Sequence, residues 1–449
     1  MKTLIHHGRL IDPANGVDAL LNLLVENGKI VWVGTAQPDA DHSIDASGRV
    51  VCPGFIDLHM HEDPVGPDGR IACSILNSML CMGVTTVLGG NCGMNVCNPA
   101  DYLDLADRDG APVNIAMLAG HEYFRVAAGA VDKYAPAAED QKQRMAAGIT
   151  DALSRGCMGV SFGLRYIPGA DRDEFYRAAA VCQPGHRLIT AHVRDDADAI
   201  FSAIDEMAGA AMAYDLPLQI SHIGSMGGFG QMAQVLQQTD AYRLNGLDIM
   251  LDCYPYTAFS TMIGATTYDD GWLERYHCDY SVLEFATGKY RGQRATPETF
   301  AEMRANDPAA LTVCHVMRSE DIDLALRHPS VILASDGLTN GGQGHPRAAG
   351  TFPRLIAKYV RTGKLDLYTA IAKMTSMPAQ RLHLPAKGRL NAGADADIVI
   401  FDPERVRDRA TFAEPALAPE GIDYVFIGGQ LAAQDCRIVN PACGHAIRA

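Results

Sequence analysis

Apolar and polar positions alternate in two textures along this chain. Over roughly the first fifty residues the runs Thr3 to Ile5, Ala19 to Glu26 and Lys29 to Gly34 are short, of β type, and broken by the turn signals Asp12-Pro13 and Asn27-Gly28. The C-terminal end repeats this texture in Ala396 to Phe401 and Tyr424 to Gly429, which predicts that the two ends pair as one small β-sandwich domain. Between them, apolar strand candidates alternate with helical stretches: Phe55 to His61, Val84 to Asn91, Val113 to Ala119, Gly159 to Leu164, Leu188 to Val193, Leu218 to Ile223, Asp248 to Tyr254 and Val331 to Ser335. Eight such strands separated by helices predict an α/β chain built on a parallel (β/α)8 TIM-like barrel. A ninth candidate, Leu311 to Val316, is assigned to an insertion ahead of the last barrel strand. The stretch 266–306, rich in Tyr, Arg, Asp and Gly, is expected to be the body of that insertion and a lid over the barrel mouth. The expected organisation is therefore 1–53 and 386–449 in the small β domain and 54–385 in the barrel.

Composition narrows the setting. With 449 residues, 48% of them hydrophobic, the chain can bury a large core. No run approaches the ~18 consecutive apolar residues of a membrane span, and the opening residues lack the apolar core of a secretion signal, so a cytoplasmic protein is expected. Twelve cysteines are scattered singly with no CxxC pair, which predicts reduced thiols and makes any special cysteine a ligand or nucleophile. A net charge of -15 argues against nucleic acid and anionic membranes as partners. It leaves a small molecule as the expected partner and allows a homo-oligomer.

Candidate chemistry starts from His59 and His61, an i, i+2 pair after an apolar run. On a strand both imidazoles face the same way and could reach one metal ion. Active-site residues of a parallel barrel sit at the C-terminal ends of its strands. His59 and His61 end the first predicted strand and Cys92 follows the second. His192 lies near the end of the fifth, His222 ends the sixth and Asp336 ends the eighth. Four of the fifteen histidines thus fall at one rim together with a thiol and a carboxylate, a donor set that suits zinc. Six ligands exceed what one catalytic zinc uses, so two adjacent positions are expected, one tight and one weaker, with Cys92 placed where it could bridge them.

These residues sit in recognisable motifs. Gly8-Arg9-Leu10-Ile11-Asp12-Pro13, Pro53 to His61, Gly388-Arg389-Leu390 and Gly393 to Val399 are general marks, while Gly90-Asn91-Cys92-Gly93, Tyr254-Pro255-Tyr256, His345-Pro346-Arg347 and Gly350 to Arg354 are narrower ones. On them the chain resembles the amidohydrolase superfamily over nearly its full length, and within it the N-acyl-D-amino-acid deacylases, or D-aminoacylases. The resemblance implies that His59, His61 and Asp336 form one metal position and Cys92, His192 and His222 the other, the second being the tighter. Hydantoinases and dihydroorotases of the superfamily usually bridge two metals with a carboxylated lysine on the fourth strand. Here Gly159-Val160-Ser161-Phe162-Gly163-Leu164 holds no lysine.

The implied activity is zinc-dependent hydrolysis of the amide bond of N-acyl-D-amino acids by metal-activated water. Asp336 would act as general base and then general acid. Arg347 matches the family's carboxylate-binding arginine, with Tyr254 and Ser260 assisting. His345 is a candidate to polarise the carbonyl from the lid side and His121 to line the pocket, whereas Cys314 and His315 read as structural. Many relatives carry a lysine two residues after the sixth-strand histidine. This chain has Gly224 there, which leaves Arg165, Arg194 or a residue of the insertion to replace it. The competing readings are a cyclic-amide or isoaspartyl-dipeptide hydrolase and, from another class, a metal-binding protein without catalysis.

Overall fold

The computed structural model describes residues 2–449. Strands from both ends form a single sheet of nine, ordered Arg437–Ile438, Gln430–Gln434, Ile422–Ile427, Ile398–Phe401, Val50–Pro53, Lys2–Asp12, Val17–Glu26 and Lys29–Gly34, with His42–Asp45 added beside Lys2–Asp12. The ends meet where Val50–Pro53 runs antiparallel to Ile398–Phe401, Val51 opposite Ile400. Alternation puts Ile5, Leu23, Val25, Val51, Ile398 and Ile400 into one apolar cluster, so the small sheet has its own core.

The central region carries eight parallel strand positions. Phe55–Asp57, Val84–Gly89 and Asn114–Met117 pair in sequence order, and Ala119–Gly120 continues the third onto Gly159–Gly163. Leu188–His192, Leu218–Ile220, Ile249–Cys253 and Val331–Leu333 follow. Every residue of Val84–Gly89 is buried, as expected of a strand covered on both faces. Helices supply the outer cover. In Ile200–Tyr214 the residues Ala203, Ile204, Met207, Ala208 and Ala211 are buried at three- and four-residue spacing.

The first strand ends at Asp57, earlier than its apolar pattern suggests. Beyond it the chain turns to pair with the last strand: the His61 amide donates to Gly337 O at 2.9 Å and the Asp336 amide to His59 O at 2.7 Å. The contact between first and last strands therefore runs through residues singled out as ligands. Leu311–Cys314 lies outside the parallel series, antiparallel between Phe259–Met262 and Leu283–Phe285. The inserted sheet is thus wider than 266–306, because its first and third strands in chain order flank that stretch. Among the described residues no helix is long and apolar enough to cross a membrane.

The Gly393 to Val399 motif joins the two regions. Asp397, buried, accepts from Lys387 Nζ at 2.6 Å, Asn114 Nδ2 at 3.1 Å and the Gly428 amide at 2.8 Å, which brings the third barrel strand and the terminal sheet to one carboxylate. Asp397→Ala leaves a buried ammonium and a buried amide short of partners. We expect it to destabilise the protein by about 3–5 kcal/mol, read as a lowered midpoint in urea unfolding, whereas a loss under about 1 kcal/mol would show the junction to be dispensable.

Candidate metal centre

Six side chains converge at the C-terminal ends of the barrel strands. The ligand atoms of Cys92, His192 and His222 lie within 4.8 Å of one another, as do those of His59, His61 and Cys92, and those of His59, His222 and Asp336. Cys92 Sγ is 3.5 Å from His59 Nε2 and 3.4 Å from His222 Nε2, and Asp336 Oδ1 is 3.2 Å from His61 Nε2 and 3.5 Å from His59 Nε2. Cys92 and His59 thus sit between the two halves of the cluster. The arrangement brings together all six residues read as ligands from the sequence.

Backbone geometry aims three of them. Cys92, His222 and Asp336 adopt left-handed conformations, with φ of 55°, 34° and 50°. Such conformations are costly for residues with a Cβ and are kept where surrounding bonds over-determine them. Around Cys92 the loop is pinned by Glu62, which accepts from the Gly90 amide at 2.9 Å and the Val96 amide at 3.1 Å, and by Ser161 Oγ, which accepts from the Gly93 amide at 3.0 Å. Gly90 is required here: its φ is 76° and a Cβ would come within 2.3 Å of Leu118 O.

Electrostatics favour the metal-binding form at Cys92, Asp336 and His192. At His59 and His61 burial, which lowers them, is outweighed by Asp252, Cys92 and Asp336, which raise His59 well above the ordinary imidazole value and His61 to about 9. Burial pushes the Cys92 thiol up, but His222 and His59 outweigh it and hold the thiol well below its usual range, as thiolate. Burial likewise pushes Asp336 up, and Arg347, His222 and the His61 contact bring it well below the usual carboxylate range. Burial lowers His192 to about 4, helped by the His222 charge, so its imidazole is neutral with a free lone pair. Its Nδ1 is buried without a hydrogen-bond partner. Buried nitrogen, thiolate and carboxylate donors facing each other at this spacing fit zinc.

Two supporting carboxylates escaped the sequence reading. Asp252 Oδ1 accepts from the His222 backbone amide at 2.7 Å and lies 3.2 Å from His59 Nδ1, so one carboxylate holds the backbone of one donor residue and faces the imidazole of another. Asp57, lifted by burial to about 6, accepts from the His59 and Ser335 amides at 3.1 and 3.0 Å and ties the first strand to the last. The usable signal was a charged residue inside an apolar strand, since Asp252 interrupts Ile249–Cys253 and Asp57 ends Phe55–Asp57.

Residues proposed to meet substrate separate into two groups. Arg347 is buried with Nη1 2.9 Å from Asp336 Oδ2, Nη2 donating to Ser260 O at 3.3 Å, and its guanidinium over the Tyr254 ring at 4.7 Å. The hydroxyls of Tyr254 and Ser260 are buried without partners. Ser260 borders the cavity with His61, Cys92, His192, His222 and Asp336. Arg347, Tyr254, His345 and His121 do not border it. His345 accepts from the Arg347 amide at 3.0 Å within a cage of Tyr254, Tyr256 and Phe412, and His121 contacts Glu174 at 3.1 Å beside Arg125. Each is held among core neighbours and not at the pocket, with His345 Nε2 and the His121 ring nitrogens buried without a hydrogen-bond partner. Of the candidates to replace the missing lysine, Arg165 pairs with Asp195 at 2.8 Å and Arg194 with Glu206 at 2.9 Å, and neither reaches the cavity wall.

Comparison with known proteins agrees with this geometry. The model of a family described as the amidohydrolase family matches residues 42–276 and 284–433. The chain is 32% identical over 464 residues to an N-acyl-D-glutamate deacylase of Alcaligenes xylosoxydans xylosoxydans, covering 95% of this chain and 92% of that one. It is also 32% identical over 484 residues to a D-aminoacylase of the same organism, covering 99% and 97%. A solved N-acyl-D-glutamate deacylase of Bordetella bronchiseptica, complexed with zinc and a phosphonate mimic of the tetrahedral intermediate, superposes with a TM-score of 0.88 at 28% identity over 100% of this chain and 99% of that chain.

The double duty of Asp252 can be tested directly. Asp252→Ala is expected to weaken zinc binding about 10–100-fold in a titration against a chromophoric chelator, and unchanged affinity would remove it as the group that orients His59.

Proposed function

This chain belongs to the amidohydrolase family, and from that premise we propose that it is a metal-dependent hydrolase releasing a carboxylate and a free D-amino acid from N-acyl-D-amino acids. The observation that carries the reading is the contact of Asp336 with both a histidine pair and a buried arginine, because it puts a proton carrier beside a carboxylate-binding group. His59, His61 and Asp336 would hold one zinc ion and Cys92, His192 and His222 a second, with Cys92 between them. Zinc bound there supplies Lewis-acid polarisation of the scissile carbonyl and a lowered pKa for water. Asp336 takes the proton of the attacking water on its carboxylate and delivers it to the leaving amine. Arg347, backed by Tyr254 and Ser260, receives the free carboxylate of the substrate and fixes its distance from Asp336. The absence of lysine from Gly159–Gly163 weighs against the cyclic-amide reading, which stays as the second choice.

The same reading extends to the whole molecule. A catalytic barrel over 54–385 is flanked by 1–53 and 386–449 folded as a small β sandwich, which the shared apolar cluster of both ends supports. We place the protein in the cytoplasm, a setting supported by twelve free cysteines.

Asp336→Asn separates the roles. With zinc supplied, metal content should largely persist while turnover of an N-acetyl-D-amino acid falls by orders of magnitude, about 10³-fold or more. Undiminished turnover would remove Asp336 as the proton carrier. A panel of N-acetyl and N-formyl D- and L-amino acids alongside a hydantoin tests the class: failure on every D-substrate with turnover of the cyclic amide would overturn the deacylase reading.

A further inference from the structure

A second group of metal-type side chains stands in the terminal sheet, outside the barrel. Strand Lys2–Asp12 loses register with Val17–Glu26 between Ile5, opposite Leu23, and Gly8, opposite Leu21. His6 and His7 together therefore oppose the single residue Asn22, which is a β-bulge. On a regular strand neighbouring side chains point to opposite faces, so consecutive histidines would not share a ligand. The bulge changes that. His7 takes a left-handed backbone, with φ of 63°, and its Nδ1 lies 3.0 Å from His6 Nδ1.

Asp45 completes the group from the adjoining strand. His42–Asp45 runs parallel to the first strand with Asp45 opposite His6, and the Ala46 amide donates to His6 O at 2.8 Å. Asp45 Oδ1 is 3.2 Å from His7 Nδ1, and the donor atoms of His6, His7 and Asp45 all lie within 4.8 Å of one another. Further residues hold the three in place. Buried Asn22 accepts from the His7 amide at 2.9 Å and donates to Thr35 O and Ala36 O at 3.2 and 2.9 Å. That anchors the segment carrying Gln37, whose side-chain amide meets His7 Nε2 at 2.9 Å. Ser47 donates to Asp45 Oδ1 from its hydroxyl at 2.6 Å and from its amide at 3.0 Å.

Two imidazole lone pairs and a carboxylate this close repel unless a proton or a cation lies between them. A proton on His7 Nδ1 cannot point at both His6 and Asp45 in good geometry, whereas one cation serves all three atoms. With the Gln37 carbonyl turned toward it, His7 Nε2–H donates there and Nδ1 keeps the lone pair that a metal takes, the arrangement usual behind a ligating histidine. Two nitrogen donors favour zinc over magnesium or calcium, which prefer oxygen. We propose that His6, His7 and Asp45 form a separate surface site for a divalent transition ion of the zinc type, completed by water, which clamps His42–Asp45 onto the first strand. The site is independent of the deacylase reading.

The test uses tag-free, full-length protein equilibrated with micromolar free zinc, with bound metal counted by atomic emission. His6→Ala, and His7→Asn, which suits the left-handed backbone, should each carry one zinc per chain fewer than the unaltered protein. An equal count in either folded variant overturns the three-donor site. Magnesium is the control: uptake at these residues as tight as that of zinc overturns the assignment to a nitrogen-seeking ion. Hydrogen exchange then reads the clamp. Zinc at ten times the dissociation constant of this site should slow exchange over 42–47 about tenfold in the unaltered protein but not in His6→Ala, and exchange that zinc leaves unchanged in both overturns the clamp.

Discussion

The Asp336 carboxylate lies between His61, His59 and Arg347 in a site from which water is largely excluded, and much of the structure is arranged around that contact. A buried carboxylate without partners costs several kcal/mol, so its ionised form requires the facing positive charge and hydrogen-bond donors. The same holds for Cys92, whose thiolate depends on His222 and His59. Each of these two ionised groups depends on the positive groups that face it.

This dependence explains why the supporting residues are as exacting as the ligands. Asp252 serves the His222 backbone amide and the His59 imidazole through one oxygen, and Asp57 joins the backbone of the first strand to that of the last. Amide bonds at His61 and Asp336 complete the link between those strands, so the segment that joins first strand to last also sets the ligand positions. The left-handed backbone at Cys92, His222 and Asp336 is conformational strain of about 1 kcal/mol or more each, held by that framework. Stability and site geometry are therefore coupled at the rim, while Asp397 couples the barrel to the terminal sheet at the other end of the same strands.

The inserted antiparallel sheet adds part of the cavity wall beside the metal-donor cluster. Phe259–Met262 places Ser260 next to Arg347 and turns Phe259 and Met262 toward the cavity, and the following segment contributes Tyr276. The metal-donor residues come from the ends of the parallel strands, and the wall is shared between loops after those strands, with Met94, Tyr166 and Met226, and the inserted segment.

By itself the sequence determined the parallel strand series, the pairing of the chain ends, the six metal-donor residues that the fold brings together, and the family. Apolar periodicity and strand-end placement are local properties, and a histidine, cysteine or aspartate at a strand terminus declares its chemistry without a partner in view. It also marked Gly224 as a departure but could not say what surrounds it. The sequence also assigned Leu311 to Val316 to the insertion, but tertiary structure alone decided its partners, Phe259–Met262 and Leu283–Phe285, because pairing is not written in a short buried strand. It also decided that His121 and His345 are held in the core, that Asp252 and Asp57 support the ligands, and that Arg347 shares its charge with Asp336. Those outcomes rest on contacts between residues tens to hundreds of positions apart, and such contacts set burial and charge pairing that no local pattern encodes.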